Sequence, residues 1–274
     1  ERGGVSLQVL ALFVGLDPAP GAVKALYSKM LDARDALVAG GWRQATEPGE
    51  AREGEARFML SVEGCEFLGS RLEAVRELRD QGVRMAALTW NHENRLGTPA
   101  TVNETEGLKP FGFEAVREMQ RLAIAVDVSH LNAAGFYDVL RLDSAPPLAS
   151  HSCCRAMCDH PRNLTDRQLK DLFRAGGYIG INFYPRFLAP EGAPCGVGTV
   201  VEHIDRCHQL GGAGMVGFGS DFDGISLKPE GLDSPEDFPR LLEGLREMGY
   251  GEADVRNIAG LSFLDYFGRV GASA

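Results

Sequence analysis

What most restricts the fold of this chain is an alternation, kept up from end to end, of short apolar runs with amphipathic stretches of helical period. The runs are Leu7–Val14, Phe58–Val62, Arg84–Thr89, Ile124–Val128, Pro147–Ser150, Tyr178–Phe183 and Met215–Phe218. They are rich in β-forming residues and continuously apolar, as strands buried on both faces of a parallel sheet must be. Between them, Val23, Leu26, Tyr27, Met30, Leu37 and Val38 recur at helical spacing within Ala22–Val38. Ser70-Arg71-Leu72-Glu73 and Thr165-Asp166-Arg167-Gln168 read as capping boxes that start further helices. Gly82 supplies the left-handed residue that closes the first of these. Ser234-Pro235-Glu236 opens another helix, with proline at its first position.

Strand–helix alternation of this period predicts an α/β fold, a (β/α)8 TIM-like barrel. The length of 274 residues suits one such domain across 1–274, and no domain boundary is visible. Glu47–Glu55, Ala189–Gly198 and Arg95–Pro110 read as long loops, the last a candidate cover for an active site. A closed barrel of this class has eight strands, and seven are found. An open doubly wound sheet accommodates seven, but the glycine fingerprint that follows the first strand of a Rossmann-like sheet is not here. The first strand is therefore expected upstream of Glu1, where the sequence starts abruptly.

Composition narrows the partners. A formal net charge of −10 disfavours nucleic acid and anionic membranes. The longest apolar stretch, Val5 to Leu16, is broken by Gln8 and falls short of the roughly 20 residues of a membrane span. No basic segment leads into a clean apolar run, so no signal peptide is expected. The six cysteines include no CxxC pair, which fits a reduced, cytoplasmic setting. Cys153, Cys154 and Cys158 match no standard zinc spacing.

Barrel enzymes carry their chemistry at the C-terminal ends of their strands. Four apolar runs end in suitable groups: Glu63-Gly64, Ser129-His130, His151-Ser152, and Gly219-Ser220-Asp221-Phe222-Asp223-Gly224. Imidazoles and carboxylates are the ligands of zinc and related divalent ions. A carboxylate can bridge two ions, which lower the pKa of a shared water, and a further carboxylate can move protons. Plainer readings stand beside these. Either histidine can be a hydrogen-bonded structural residue, Glu63 can cap the next segment, and Asp221 can cap a loop. His92 and His160 lie close enough to strand ends to reach a cleft, whereas His203 and His208 read as surface or packing residues. Arg162 is either a carboxylate-binding fork or a surface arginine.

The segments Ser61-Val62-Glu63-Gly64, Ala87-Leu88-Thr89-Trp90-Asn91, Asp127-Val128-Ser129-His130, Ser150-His151-Ser152, Arg162-Asn163, Asn182-Phe183-Tyr184 and Gly217 to Gly224 occur together in one order. In that order and spacing the chain resembles the membrane (renal) dipeptidase family of metallopeptidases, among the amidohydrolase-like barrels. The resemblance implies two zinc ions, with Glu63 bridging both and His130 and His151 completing the second. It implies hydrolysis of dipeptides, including those with a D-residue at the C-terminal position, by a metal-bridging hydroxide, with Asp221 handling protons. Arg162 would take the dipeptide's terminal carboxylate, with Asn91, Tyr184 and Asp223 as further substrate contacts. Members are often dimers, which makes a homodimer an expectation.

Two departures matter. The family's His-x-Asp pair, which serves the first ion from the first strand, has no equivalent here; His203-Ile204-Asp205 lies in a late helix. Trp90 stands where many members have a substrate-contacting histidine, as in bacterial relatives. Alternatives remain: another amide or lactam hydrolase of the amidohydrolase-like barrels, or an inactive relative that only binds small peptides.

Overall fold

Each of the seven apolar runs becomes a strand in the computed structural model, which describes residues 2–13, 20–52, 54–142 and 145–272. Val14, at the end of the first predicted strand, lies outside the described residues, as do Glu1 and Leu16. The chain divides into two compact units, Ser6–Ala145 with Val270–Ala274, and Pro146–Arg269 with Glu1–Val5.

In the first unit β1 (Leu7–Phe13), α1 (Pro20–Ala39), β2 (Arg43–Gln44), β3 (Arg57–Glu63), α2 (Glu73–Asp80), β4 (Val83–Ala87), α3 (Pro110–Arg121), β5 (Ala125–Asp127) and α4 (Ala133–Leu142) follow one another. Strands pair in the order β1-β3-β4-β5, all parallel, and β2 pairs with the start of β3. β2 went unpredicted because two residues carry no periodicity. Phe58, Met59, Leu60, Ser61 and Val62 of β3, every residue of β4 and every residue of β5 are buried although neighbours in sequence point to opposite faces, so these strands are covered on both sides. β1 is the exception: of its residues only Leu12 is buried.

Helix entry and exit follow local chemistry, with one correction. Pro110 opens α3 at its first turn, and Gly82 takes φ +87° just past α2. The predicted capping box at Ser70 does not form. The chain is already helical in backbone angle at Leu72, the residue before α2, and the Ser70 hydroxyl instead accepts from Arg95 Nη1 at 2.9 Å. Tyr27 of α1 stacks on Phe67 at 4.2 Å.

The second unit holds β6 (Leu148–Ser152), α5 (Asp166–Arg174), β7 (Tyr178–Ile181), α6 (Pro185–Leu188), α7 (Val197–Gln209), β8 (Val216–Phe218), α8 (Phe238–Glu247), α9 (Glu252–Arg256) and, as far as Arg269, α10 (Ser262–Ala272). Its strands run β6-β7-β8, again parallel. Here the second capping box forms as expected: Gln168 N donates to Thr165 Oγ1, and Gln168 Oε1 accepts from Thr165 N at 3.0 Å. Ser234 caps a short 3-10 turn that leads into α8. Three small residues bring the strands close. A Cβ on Gly180 or Gly219 would overlap the Ser150 carbonyl oxygen, and one on Gly217 would overlap the Tyr178 hydroxyl. No helix among the described residues is long and apolar enough to cross a membrane.

Candidate active site

Glu63 is the last residue of β3, and the chain just past it stays tied to the segment leaving β4. Gly64 N donates to Ala87 O at 3.1 Å and Cys65 N to Leu88 O at 3.3 Å. Gly64 takes φ +85°, open to glycine without strain. The Glu63 carboxylate is thereby carried on rigid backbone.

His130 comes three residues after β5, in a tight turn. Ser129 N donates to Asp127 Oδ1 at 2.9 Å, and Leu131 N to Val128 O at 3.2 Å. The turn forces His130 to φ +68°, a left-handed conformation that is costly for a residue with a side chain. Its imidazole is 6% exposed and held at both nitrogens. Nδ1 meets Asn91 Oδ1 at 3.0 Å, and Nε2 meets Glu63 Oε1 at 2.9 Å. With Asn91 Oδ1 as acceptor, the proton of a neutral ring sits on Nδ1 and the Nε2 lone pair faces a carboxylate oxygen. That arrangement is favourable only with a cation between or upon them, a proton or a metal. Two donors on one tetrahedral zinc, each about 2.0–2.1 Å from it, stand roughly 3.3 Å apart. The carboxylate–imidazole pair offers the donor chemistry of a divalent metal site, its two donors standing somewhat closer than that spacing.

The surroundings of this pair are aromatic on one side and acidic on another. Trp90 packs edge-on against Phe13 at 5.0 Å and lies 6.3 Å from the His130 ring. Burial pushes the Glu66 carboxyl up from its ordinary range, and the Glu63 charge adds a smaller push in the same direction. Asn94 Nδ2 donates to Glu66 Oε1 at 3.1 Å. Nothing in the sequence singled out Glu66, whose environment is made by the fold. His92, a weaker candidate, tilts against Trp90 at 5.6 Å.

The second unit gathers the remaining predicted residues. His151 was expected just past a strand ending at Ser150, but β6 continues to Ser152, with a shift of register against β7 between Ala149 and Ser152. Irregularities of this kind re-aim side chains near functional sites. The Ser150 hydroxyl lies 2.7 Å from His151 Nδ1. Arg162 is 5% exposed, which removes the surface-arginine reading. Its Nη2 donates to His151 O at 3.4 Å, and its guanidinium lies 5.6 Å from the centre of the Phe187 ring. Tyr184 meets the same ring edge-on at 5.0 Å.

Asp221 begins the turn after β8 and takes φ +59°. Gly224 N closes that turn on Asp221 O at 2.9 Å. Asn182, fully buried, donates from Nδ2 to Asp221 Oδ2 at 3.1 Å and accepts from Tyr184 N at 2.5 Å. Asn182 is an orienting group that sequence reasoning left without a role, and Asn91, expected as a substrate contact, holds the His130 ring; both stood in the matching segments. Asp223 lies exposed on the turn. His203 is a packing residue, as expected: it is wholly buried, with Nδ1 accepting from Cys154 N at 3.1 Å and Nε2 on Leu188 O at 2.9 Å.

Of the three described non-glycine residues at positive φ, two are His130 and Asp221. Strain of this kind concentrates at functional sites. Known proteins point the same way. An uncharacterized dipeptidase of Schizosaccharomyces pombe is 35% identical over 209 residues, 75% of this chain and 51% of its own length. The chain thus spans about half the length of that curated relative. Dipeptidase AC, a metallo peptidase of family M19, superposes with a TM-score of 0.90 at 28% identity, covering 98% of this chain and 87% of that one. A metallo peptidase from Rhodobacter sphaeroides, solved with a phosphinate mimic of the dipeptide L-Ala-D-Ala, gives 0.89 at 27% identity, covering 98% and 88%. The parallel α/β barrel class expected from the strand–helix alternation therefore holds. The profile of the membrane dipeptidase family matches residues 2–273, so that, with strand-end residues and relatives in agreement, the chain belongs to the membrane dipeptidases, peptidase family M19.

Proposed function

We propose that this protein is a zinc-dependent dipeptidase that hydrolyses the amide bond of dipeptides, including dipeptides with a D-residue at the C-terminal position. The observation that carries this reading is the pairing of buried His130, held by Asn91, with the half-buried Glu63, in a member of a metallopeptidase family. The phosphinate mimic of L-Ala-D-Ala bound by the Rhodobacter sphaeroides relative supports the substrate class.

In this reading Glu63, His130 and His151 would hold the zinc, Glu63 as a carboxylate shared between two ions and the two histidines as ligands of the second. Bound zinc supplies Lewis acidity, lowering the pKa of a water and polarising the scissile carbonyl. The protein's own groups do the rest. Asp221, steadied by Asn182, takes a proton and returns it to the leaving amine. The Arg162 fork binds the terminal carboxylate of the dipeptide, and its burial strengthens that pairing. Asn91 serves the site by fixing the His130 ring, and stands with Tyr184 and Asp223 as a substrate contact. The His-x-Asp pair for the first ion has no counterpart in the 274 residues, so occupancy by two ions is proposed of the whole protein. One hydrolase domain, a homodimeric assembly and a reducing, cytoplasmic compartment complete the reading. The six free cysteines support that compartment.

The test uses the purified full-length protein. Its zinc content is measured, and a panel of L,L and L,D dipeptides is assayed before and after exhaustive chelation. About two zinc ions, with hydrolysis lost on chelation and restored by zinc, are expected. Full activity without metal would sink the mechanism. Zinc binding with no cleavage of any dipeptide would favour the peptide-binding relative.

A further inference from the structure

Six cysteines have no part in the proposed chemistry, and most are simply buried. Cys153 Sγ donates to Asn182 O and Cys158 Sγ to Arg186 O, each at 3.3 Å, as thiols in a core commonly do. Cys154 and Cys207 differ. Their sulfurs lie 3.5 Å apart, the one thiol–thiol hydrogen bond among the described residues. We propose that Cys154 and Cys207 form a modification site, a dithiol that a small hydroperoxide closes reversibly into an intramolecular disulfide.

Both residues belong to the unit Pro146–Arg269, and each is held in place. Cys154 follows β6 by two residues and pairs in a bridge with Leu164. Its backbone N donates to His203 Nδ1 at 3.1 Å, and its Sγ approaches His203 O at 3.5 Å. His203 lies one turn before Cys207 on α7, and its other nitrogen is fastened to Leu188 O. The buried histidine thus clamps Cys154 to the helix that carries Cys207. A disulfide needs its sulfurs about 2.05 Å apart, so closure requires an approach of roughly 1.5 Å.

Electrostatics favour one thiolate in the pair. The hydrogen bond from Cys207 draws the Cys154 thiol down, while the same bond and burial push Cys207 up. The thiolate is the form that attacks a peroxide. Both side chains are wholly buried, so the oxidant must be small enough to enter through a local opening.

The chemistry balances in two steps. Cys154 Sγ attacks one peroxide oxygen, the O–O bond breaks, and the departing hydroxide takes a proton to leave as water. Cys207 Sγ then attacks the Cys154 sulfenic sulfur, the S–O bond breaks, the S–S bond forms, and a second water leaves with the Cys207 proton. Two thiols lose two electrons and two protons, and hydrogen peroxide is reduced to two waters. A dithiol reductant reverses the closure.

The test treats the whole protein with hydrogen peroxide, blocks remaining thiols, and maps disulfide-linked peptides by mass spectrometry without reduction. A Cys154–Cys207 linkage that disappears after dithiothreitol is expected. In Cys207→Ser, where no disulfide can close, a 1,3-dicarbonyl probe is expected to trap a sulfenic acid at Cys154. Oxidation confined to the half-buried Cys195, or a Cys158–Cys195 linkage with Cys154 and Cys207 still free, would overturn the proposal. The wild-type map decides the matter even where the variant does not fold.

Discussion

At His130 the backbone and the side chain want different things. The left-handed angle costs a residue with a Cβ roughly 1–2 kcal/mol, and only glycine avoids it. The residue is kept because its ring bridges Asn91 and Glu63. Stability and function are therefore expected to separate on substitution. His130→Gly should be more stable to urea than His130→Ala by about 1 kcal/mol, because glycine relieves the strain that alanine keeps. Both should lose zinc affinity. Equal stability of the two variants would show that the turn does not impose the angle. Arg162 makes the opposite case, a charge retained in a buried position beside His151 O and the Phe187 ring. Truncating a buried partner of a substrate carboxylate typically costs about 2–5 kcal/mol. Arg162→Ala should raise KM for dipeptides by roughly 30-fold or more, with zinc content unchanged. Unchanged kinetics on dipeptides would remove Arg162 from the site.

At the level of elements, the ends of β6, β7 and β8 are set by close backbone approach. Gly219 leaves no room for a methyl group: a Cβ would overlap the Ser150 carbonyl oxygen and sit 2.8 Å from Gly180 O. Backbone atoms cannot swing aside as a side chain can. Gly219→Ala is expected to destabilise the fold by about 1–3 kcal/mol, and to disturb His151 and Asp221, which flank the contact in sequence. Urea unfolding checks the first effect and dipeptide kinetics the second. A neutral substitution would mean that the strands can part there without cost. These elements also divide what a sequence can tell from what it cannot. Most of the strands were legible because burial on both faces leaves apolar runs, while β1, where only Leu12 is buried, was legible from its run of β-forming residues alone. Glu63, His130, His151 and Asp221 were legible because a polar residue ending such a run is conspicuous. β2 was not, being two residues long. The Ser70 box failed because Arg95, distant in sequence, competes for the same hydroxyl. The register shift at Ser150 and His151, and the Asn91 and Asn182 partnerships, depend on non-local pairing that no local pattern records.

For the whole molecule, folding stability must depend on pH through groups whose protonation the fold changes. His208 is one. It sits on α7 with its ring edge-on to Tyr250 at 5.1 Å, and its Nε2 is buried with no hydrogen-bond partner among the described residues. Burial pulls its pKa below the ordinary 6.5, against the opposing pull of Asp254 and Asp205. His160 moves the same way, through burial first and then the Arg162 and Arg155 charges. For both, the unfolded chain takes up a proton below pH 6.5 that the folded chain refuses. Their stability contribution is complete above that value and is lost as the pH falls towards the lowered folded value. Glu66 has the reverse sign. Its raised carboxyl binds a proton more readily when folded, so its contribution is present below the unfolded value of 4.5 and is lost as the pH rises through the folded one. Above the Glu66 range the histidines should dominate, and the urea midpoint should fall as the pH is lowered from 7 towards 5.5. His208→Gln cannot take the extra proton when unfolded, so its midpoint should fall less over that interval, by a fraction of one proton per molecule in the linkage slope. Parallel urea titrations of wild type and variant at several pH values measure that slope directly, and identical slopes would mean that His208 titrates alike in both states.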